Sequence, residues 1–392
     1  MPDFQYSSIT DERDARELAD VIRLAFNFSG PRSDRFFEII PESTMRLIRA
    51  DGDIVGGLII HELGQYFGGQ RIDMGGIATV AIHPTARGCG AATVLMNEAM
   101  RELHRTGAAP ISSLFPATQV LYRRSGFERA GATWRTSLNV PRINVRERHV
   151  TVRTTQPDDE PAIRALQQAD AADHNGHLDR NAYLWDRLVQ PGGEAADAYV
   201  VEEDGIVTGY LYLRREDAAG HDMILVVTDI MASTPAAGRA LLGLIASHGS
   251  VCDIARLRRG PSDPLFALLP EQTYTVELGD HWMTRIVNVE TALAARGYPA
   301  GVSLSLDFDI TDDVIPANTG AYTLHLNDGV GHVERGGAGT IKLGIHGLAT
   351  LFAGHQSLAD ICRAGLGAAP RNVYARADAA FPTVRPWMPD GF

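Results

Sequence analysis

The stretch that most restricts what this chain can fold into is Gly76-Ile77-Ala78-Thr79-Val80-Ala81-Ile82-His83-Pro84-Thr85-Ala86-Arg87-Gly88-Cys89-Gly90-Ala91-Ala92-Thr93. A strand-like apolar run stops at Pro84. A turn holding Arg87, Gly88 and Gly90 follows, and a run with Leu95, Met96, Ala99 and Leu103 on one face then begins at helical spacing. Strand, small-residue turn and helix start gather backbone N–H groups at the positive end of a helix, a setting that suits a diphosphate. Gly88 and Gly90 let that backbone approach a ligand closely because neither carries a Cβ. No Gly-Lys-Ser/Thr follows, so the turn is not a P-loop, and no G-x-G-x-x-G stands there for a dinucleotide. Glycine-rich turns of this kind also occur without a ligand, so the surroundings have to carry the reading.

At 392 residues the chain exceeds one ordinary core, and two or three domains are expected. No apolar run approaches the roughly 18 to 20 residues of a membrane span. Met1-Pro2-Asp3-Phe4-Gln5 has neither the basic start nor the apolar stretch of a secretion signal. Cys89, Cys252 and Cys362 are too few and too scattered for a disulfide framework or a zinc site, which fits a reducing, cytoplasmic setting. A net charge of −12 is expected to repel nucleic acid and anionic membranes and to attract cationic small molecules such as polyamines or amino-sugars. His83, His104 and the other histidines show no H-x-x-x-H spacing, so no metal is predicted.

The first third reads as an α/β unit: a helix over 11–28, strands over 45–50, 54–66 and 71–82, the helix after the loop to about His104, a strand over 111–115, and a short helix carrying Tyr122 that breaks at Gly126. The middle third starts the same plan again. Ala198-Tyr199-Val200-Val201-Glu202-Glu203-Asp204-Gly205-Ile206-Val207-Thr208-Gly209-Tyr210-Leu211 mirrors Asp51-Gly52-Asp53-Ile54-Val55-Gly56-Gly57-Leu58, and a strand over 223–231 leads into a helix over 237–247. This second copy has Pro235-Ala236-Ala237-Gly238-Arg239-Ala240 where the first has the cradle, and Pro235 removes an N–H where one is needed. From about 287 an antiparallel sheet with strands over 302–310, 321–326, 330–334 and 340–344, and helices over 346–353 and 357–364, makes a separate α+β domain. The apolar ending Arg385-Pro386-Trp387-Met388-Pro389-Asp390-Gly391-Phe392 is expected to dock rather than to be disordered.

Arg87-x-x-Gly90-x-Ala92 resembles the coenzyme A pyrophosphate loop of the GNAT acetyltransferases. With Leu121-Tyr122-Arg123-Arg124-Ser125-Gly126-Phe127, Trp282-x-x-Arg285-Ile286-Val287-Asn288-Val289 and Ile345-x-x-Leu348-Ala349-x-Leu351-Phe352-x-Gly354 in that order, the whole chain is similar to the Eis ("enhanced intracellular survival") family of aminoglycoside N-acetyltransferases. The resemblance implies tandem GNAT folds, mixed sheets flanked by helices: a catalytic domain over 1–146 and a degenerate one over 147–286. A sterol-carrier-like domain over 287–392 would follow, its tail entering the active site. It also implies acetyl-CoA as cosubstrate, a small-molecule amine acceptor and a homo-oligomer, a hexamer in relatives.

Acetyl transfer to an amine needs a base facing the amine and an acid facing the departing sulfur. By the resemblance Tyr122 is the general acid, and the base is the terminal α-carboxylate at Phe392, with Asp390 as runner-up or as an anchor for a cationic substrate. Arg87 and the N–H groups of Gly88, Cys89, Gly90, Ala91, Ala92 and Thr93 would hold the pyrophosphate. Val80, Ala81 and Ile82 would run beside the pantetheine and polarise the thioester carbonyl. Ala117 and Thr118 occupy the segment that touches CoA in relatives, with Ala117 where a hydroxyl is often found. Cys89 is read as a small filler, because transfer is direct. Phe26, Phe28, Phe36 and Phe37 would flank the acceptor cleft, with Asp34 and Glu38 facing ammonium groups; an aromatic core with a solvated acidic face explains the same residues. Two other functions fit the same features: an acyltransferase for a pathway-specific natural product or a peptide lysine, and a non-catalytic lipid or ligand carrier.

Overall fold

The computed structural model describes residues 2–27, 30–218 and 221–392. In the first unit β1 (Phe4–Ser8), α1 (Glu12–Phe26), α2 (Pro31–Ile39), β2 (Met45–Ala50), β3 (Asp53–Phe67) and β4 (Gln70–Ile82) precede α3 (Ala91–Thr106), β5 (Ile111–Leu114), α4 (Gln119–Arg123) and β6 (Glu128–Asn139). The β2–β3 and β3–β4 hairpins close at Asp51-Gly52 and Gly68-Gly69, where all four residues take positive φ, the twist that two-residue hairpins require. The Asp11 side chain accepts the Asp14 N–H to start α1, and Asn27 ends it in the left-handed region. Helix α3 buries Leu95, Met96, Ala99, Met100 and Leu103 against the sheet, the stripe expected from its sequence. Phe28 lies outside the described residues.

The second unit comprises β7 (Thr151–Thr154), α5 (Glu160–Ala172), β8 (Leu178–Asp179), α6 (Ala182–Val189), β9 (Asp197–Glu203), β10 (Ile206–Ala218), β11 (His221–Ala232), α7 (Pro235–Ala246), β12 (Ile254–Leu257) and β13 (Tyr274–Ile286). Among the described residues the two units share one 13-stranded sheet, whose path runs β1-β2-β3-β4-β5-β13-β6-β12-β11-β10-β9-β7. The last long strands have changed places. β13, from the second unit, pairs with β5 (Met283 opposite Leu114), whereas β6, from the first, pairs with β12 (Ala255 opposite Leu138). β6 and β13 also pair with each other and so join the units along a shared seam.

The C-terminal region packs α8 (Val289–Ala295), α9 (Ile345–Ala353), α10 (Leu358–Arg363) and α11 (Tyr374–Ala380) around a second sheet. That sheet is built of β14 (Leu304–Thr311), β15 (Gly320–Asn327), β16 (Val330–Arg335), β17 (Ile341–Gly344) and β18 (Gly367–Ala368), in the order β16-β15-β14-β17-β18. The sheet is mixed rather than antiparallel throughout. The β15–β16 hairpin takes one side of β14, so β17 returns to the other side and runs parallel to it, Phe308 opposite Ile341. Arg285 at the end of β13 reaches both Asp312 carboxylate oxygens, at 2.8 and 2.6 Å, and both side chains are fully buried. The tail then lies along β6: the Ala132 N–H donates to Pro386 O and the Met388 N–H donates to Ala132 O, each at 3.1 Å. Met388 is fully buried. Among the described residues no helix is long and apolar enough to cross a membrane.

Candidate active site

β4 and β5 run parallel only from Met74 opposite Ile111 to Ile77 opposite Leu114. β5 stops there and β4 continues to Ile82, so Ala78–Ile82 has β3 on one side and an unpaired edge on the other. A bulge bends the same stretch: between Gly57 and Ile59 the β3–β4 register shifts, and Thr79 takes φ 47°, a costly conformation for a β-branched residue. Val80, Ala81 and Ile82 therefore lie on a strand edge that offers ladder-type hydrogen bonds to a ligand. Such an edge fits the extended amide chain of a pantetheine.

Just beyond, Gly88 (φ 81°) and Gly90 (φ 97°) turn the chain into α3, and a Cβ at either would meet only open space. Gly90 is the N-cap of α3 and has no side chain to satisfy the helix end. The N–H groups of Gly88, Cys89, Gly90, Ala91 and Ala92 find no acceptor among the described residues. Thr93 differs from expectation. Its N–H donates to Gly90 O at 3.0 Å, as the first turn tightens. Arg87 is exposed and donates through Nε to Ile82 O at 3.3 Å, which folds it back along the loop without engaging a carboxylate. The Cys89 thiol donates to Ala86 O at 2.7 Å, a structural tether. These groups fit a diphosphate, with a cation and a fan of free N–H donors at a helix N-terminus.

After β5 the chain passes through exposed Ala117 and Thr118 into α4; Thr118 is its N-cap but makes no side-chain cap, so its hydroxyl is free for a ligand. Tyr122 on α4 is 5% exposed and packs edge-on to Phe127 with ring centroids 6.4 Å apart. Burial alone raises its pKa above the ordinary tyrosine value. The Tyr122 carbonyl accepts N–H groups from Ser125 and Phe127, which pins the Tyr-x-x-x-Gly-Phe turn. Gly126 is required there twice over: φ is 86°, and a Cβ would come within 2.6 Å of Arg285 Nε.

The tail ends where the strands part. A Cβ at Gly76 on β4 would lie 3.1 Å from Cδ2 and Cε2 of the Phe392 ring, which also meets Phe115, just past β5, at 5.6 Å between centroids. Arg187 donates to Gly391 O at 2.5 Å. Asp390 is 4% exposed, and Arg180 engages its Oδ1 at 2.9 Å while Oδ2 is buried without a partner. Burial raises the Asp390 pKa against the pull of Arg180. This engagement leaves Asp390 poorly placed to anchor a cationic substrate.

The expected acceptor residues divide. Phe36 meets Phe37 at 5.0 Å and Tyr183 at 5.9 Å, and Tyr183 stacks on His61 at 4.9 Å with ring planes 9° apart. His61 is opposite Gly76 in the β3–β4 ladder, so Phe36 connects to that place only through Tyr183 and His61. Phe26 is 51% exposed. Asp34 is exposed and lies 3.6 Å from Arg23, which lowers its value as an ammonium site. His61, Tyr183 and Arg187 escape sequence reasoning, since nothing in their spacing marks them. The His61 pKa is pushed down to about 4, first by burial and then by Arg187.

The corresponding places in the second unit are filled. Thr234 accepts the Ala237 N–H to cap α7, Pro235 occupies its first turn, and Arg239 is held by Glu147 at 2.8 Å. The Arg259 guanidinium donates to Ile230 O on β11 and pairs with Asp263 at 3.2 Å and Asp170 at 3.6 Å. Nearby Asp170, His174 and His177 bring one metal-ligand-type atom each within 4.8 Å of one another, a spacing that a search for H-x-x-x-H overlooks. His174 Nδ1 already faces Asp170 O at 2.8 Å, and Arg259 adds a positive charge beside the carboxylate.

Comparison with known proteins agrees with this geometry. The acetyltransferase (GNAT) domain family matches residues 5–130 and again 176–286, and the sterol carrier protein domain matches 289–389. A GCN5-related N-acetyltransferase from Anabaena variabilis is 31% identical with a TM-score of 0.94, each chain covered in full. An uncharacterized N-acetyltransferase of Streptomyces griseus is 29% identical over 354 residues, 83% of each chain. Eis1 from Mycobacterium abscessus, at 21% identity, shares the fold with a TM-score of 0.80 over 99% of this chain and all of that one. An open strand edge, a donor-lined helix start and a buried tyrosine thus stand in the first of two GNAT domains followed by a sterol carrier domain, and the chain belongs to the GCN5-related N-acetyltransferases.

Proposed function

We propose that the enzyme transfers acetyl directly to the amine of a small acceptor, with Tyr122 as general acid and the Phe392 carboxylate as general base. When bound, acetyl-CoA supplies the acetyl thioester. Arg87 and the N–H groups from Gly88 to Ala92 hold the diphosphate, and Val80 to Ile82 align the chain that leads to the thioester. Tyr122 keeps its proton through neutral pH because burial disfavours the phenolate, so it can give that proton to a departing thiolate. A carboxylate at Phe392 takes the ammonium proton from the other side. The catalytic unit is the segment 1–146, the degenerate unit 147–286 and the carrier-like domain 287–392. The same reading makes the enzyme a cytoplasmic homo-oligomer, a hexamer by family resemblance, with polyamines and aminoglycosides the first acceptors to try.

The observation that carries this reading is the Phe392 ring seated on Gly76, where β4 and β5 separate. Appending one residue moves the carboxylate by up to roughly 3.5 Å and leaves a neutral amide in its place. A C-terminally extended enzyme is therefore expected to bind acetyl-CoA normally by calorimetry yet release CoA thiol poorly across an amine panel, while an N-terminally tagged enzyme stays active. Equal turnover by both would shift the base to Asp390, whose Oδ2 is without a partner.

A further inference from the structure

A cavity of about 610 Å³ opens beside the tail, lined by Pro389, Asp390 and Gly391 and by strands β6, β11 and β12 beneath α6. Its charge is opposite to that of the chain as a whole. Arg135, Arg187, Arg256 and Arg258 all line it, against Glu277 and an Asp390 already engaged by Arg180. Arg135 lies 3.6 Å from Asp280, whereas Arg187, Arg256 and Arg258 pair with no carboxylate among the described residues. In a protein of net charge −12, four arginines on one cavity are a local focus of positive potential. Withdrawal from water and then Arg187 lower the Arg258 pKa, the signature of crowded cations.

The cavity adjoins the cleft described above, since Gly391, which lines it, directly precedes Phe392, and a relay of side-chain contacts joins the two. Arg187 lines the cavity and lies over the Tyr183 ring at 5.6 Å; Tyr183 stacks on His61, and His61 is opposite Gly76, on which Phe392 sits. An acceptor whose amine reaches Phe392 would extend naturally toward Arg187, Arg256 and Arg258.

We infer that the acceptor carries an anionic group, a carboxylate or a phosphate, bound by Arg187, Arg256 and Arg258 in this cavity. The inference rests on the proposed amine transfer, and reverses the cationic acceptor that net charge suggests. The test uses ω-amino carboxylates and ω-aminoalkyl phosphates of increasing chain length, with matched alkylamines and α,ω-diamines. Turnover is read by thiol release, and binding of their N-acetyl products by calorimetry with CoA present. At the best length, kcat/KM for the anionic amine should exceed that of its neutral match by roughly 10- to 100-fold, the span of charge-assisted hydrogen bonds. The carboxylate and phosphate arms identify which anion is preferred. Arg256→Gln, which touches neither the tail nor the cradle, should erase most of that margin through KM and leave acetyl-CoA affinity unchanged; Arg256→Glu should favour the diamine. Equal kcat/KM for anionic and neutral amines, or a fall in acetyl-CoA affinity in Arg256→Gln, would overturn the inference. Charge-selective product binding without turnover of any amine would leave the anion site standing and sink the transferase reading, while turnover without charge preference would do the reverse.

Discussion

The two GNAT units share a topology and differ in whether their clefts are vacant for a ligand or filled by the protein's own groups. In the first, α3 starts at Gly90 without a side-chain cap, and β4 leaves an edge open past Ile77. In the second, Thr234 caps α7, Glu147 holds Arg239, and Arg259 covers the β11 backbone at Ile230. Unsatisfied polar groups are costly in a fold that needs no ligand and useful in one that has one. The second unit satisfies its own groups, and the first leaves its helix start open. A handful of side chains, not the fold, separates the two units.

The largest effect that could break this contrast is at Tyr122. Tyr122→Phe is expected to keep the fold and acetyl-CoA affinity and to lower turnover by about 10²- to 10⁴-fold; Tyr212→Phe, on β10 of the second unit, should leave turnover intact. Steady-state rates for the two variants decide it, and wild-type turnover in Tyr122→Phe would return that residue to a packing role.

Next come the cradle and its counterpart. Arg87→Ala should weaken acetyl-CoA binding by about 1.5–3 kcal/mol, the range for hydrogen bonds to charged groups, whereas Arg239→Ala should not alter it. Calorimetry should also give one acetyl-CoA per chain. Two equivalents would mean that Arg259 and Thr234 do not block the second cleft.

The smallest effect concerns pH. Two histidines are buried, His61 on β3 and His177 beside Asp170 and Trp387, with pKa values pushed down to about 4 and well below the ordinary value respectively. The unfolded chain takes a proton at each as pH falls through roughly 6.5, while the folded chain does not. Stability should therefore be full above that point and decline as pH drops toward 4, by up to about 1.4 kcal/mol per pH unit for each histidine. Urea midpoints at pH 7, 6 and 5 measure the slope, and His61→Gln and His177→Gln should each flatten it. An unchanged slope in both would mean that neither histidine is neutral in the fold.

Local chemistry made much of this legible beforehand. Pro84, Gly88 and Gly90 mark the strand-to-helix turn, Gly126 marks the break after Tyr122, and the glycine pairs mark the hairpins, because each acts through its own backbone. Residues whose meaning depends on distant partners were not legible. Strands β6 and β13 carry Arg129, Arg135, Glu277 and Asp280 among their apolar residues, and their neighbours come from the other unit. Arg259 reads as one arginine among 36 basic residues until the fold brings it to Ile230. Net charge misled about the cavity, since a sum over the surface says nothing about where Arg187, Arg256 and Arg258 meet.

The exchange of β6 and β13 bears on how the molecule is made. β5 gains its outer neighbour only when residues 274–286 have been synthesised, more than 150 positions later, and until then the first unit presents a bare strand edge of the kind that invites mispairing. Closing so long a loop is slow relative to local pairing. The first unit is thus finished by a strand of the second, and residues 1–146 expressed alone should be prone to self-association. Whatever else it does, the second unit is part of the scaffold on which the sheet of the first is completed.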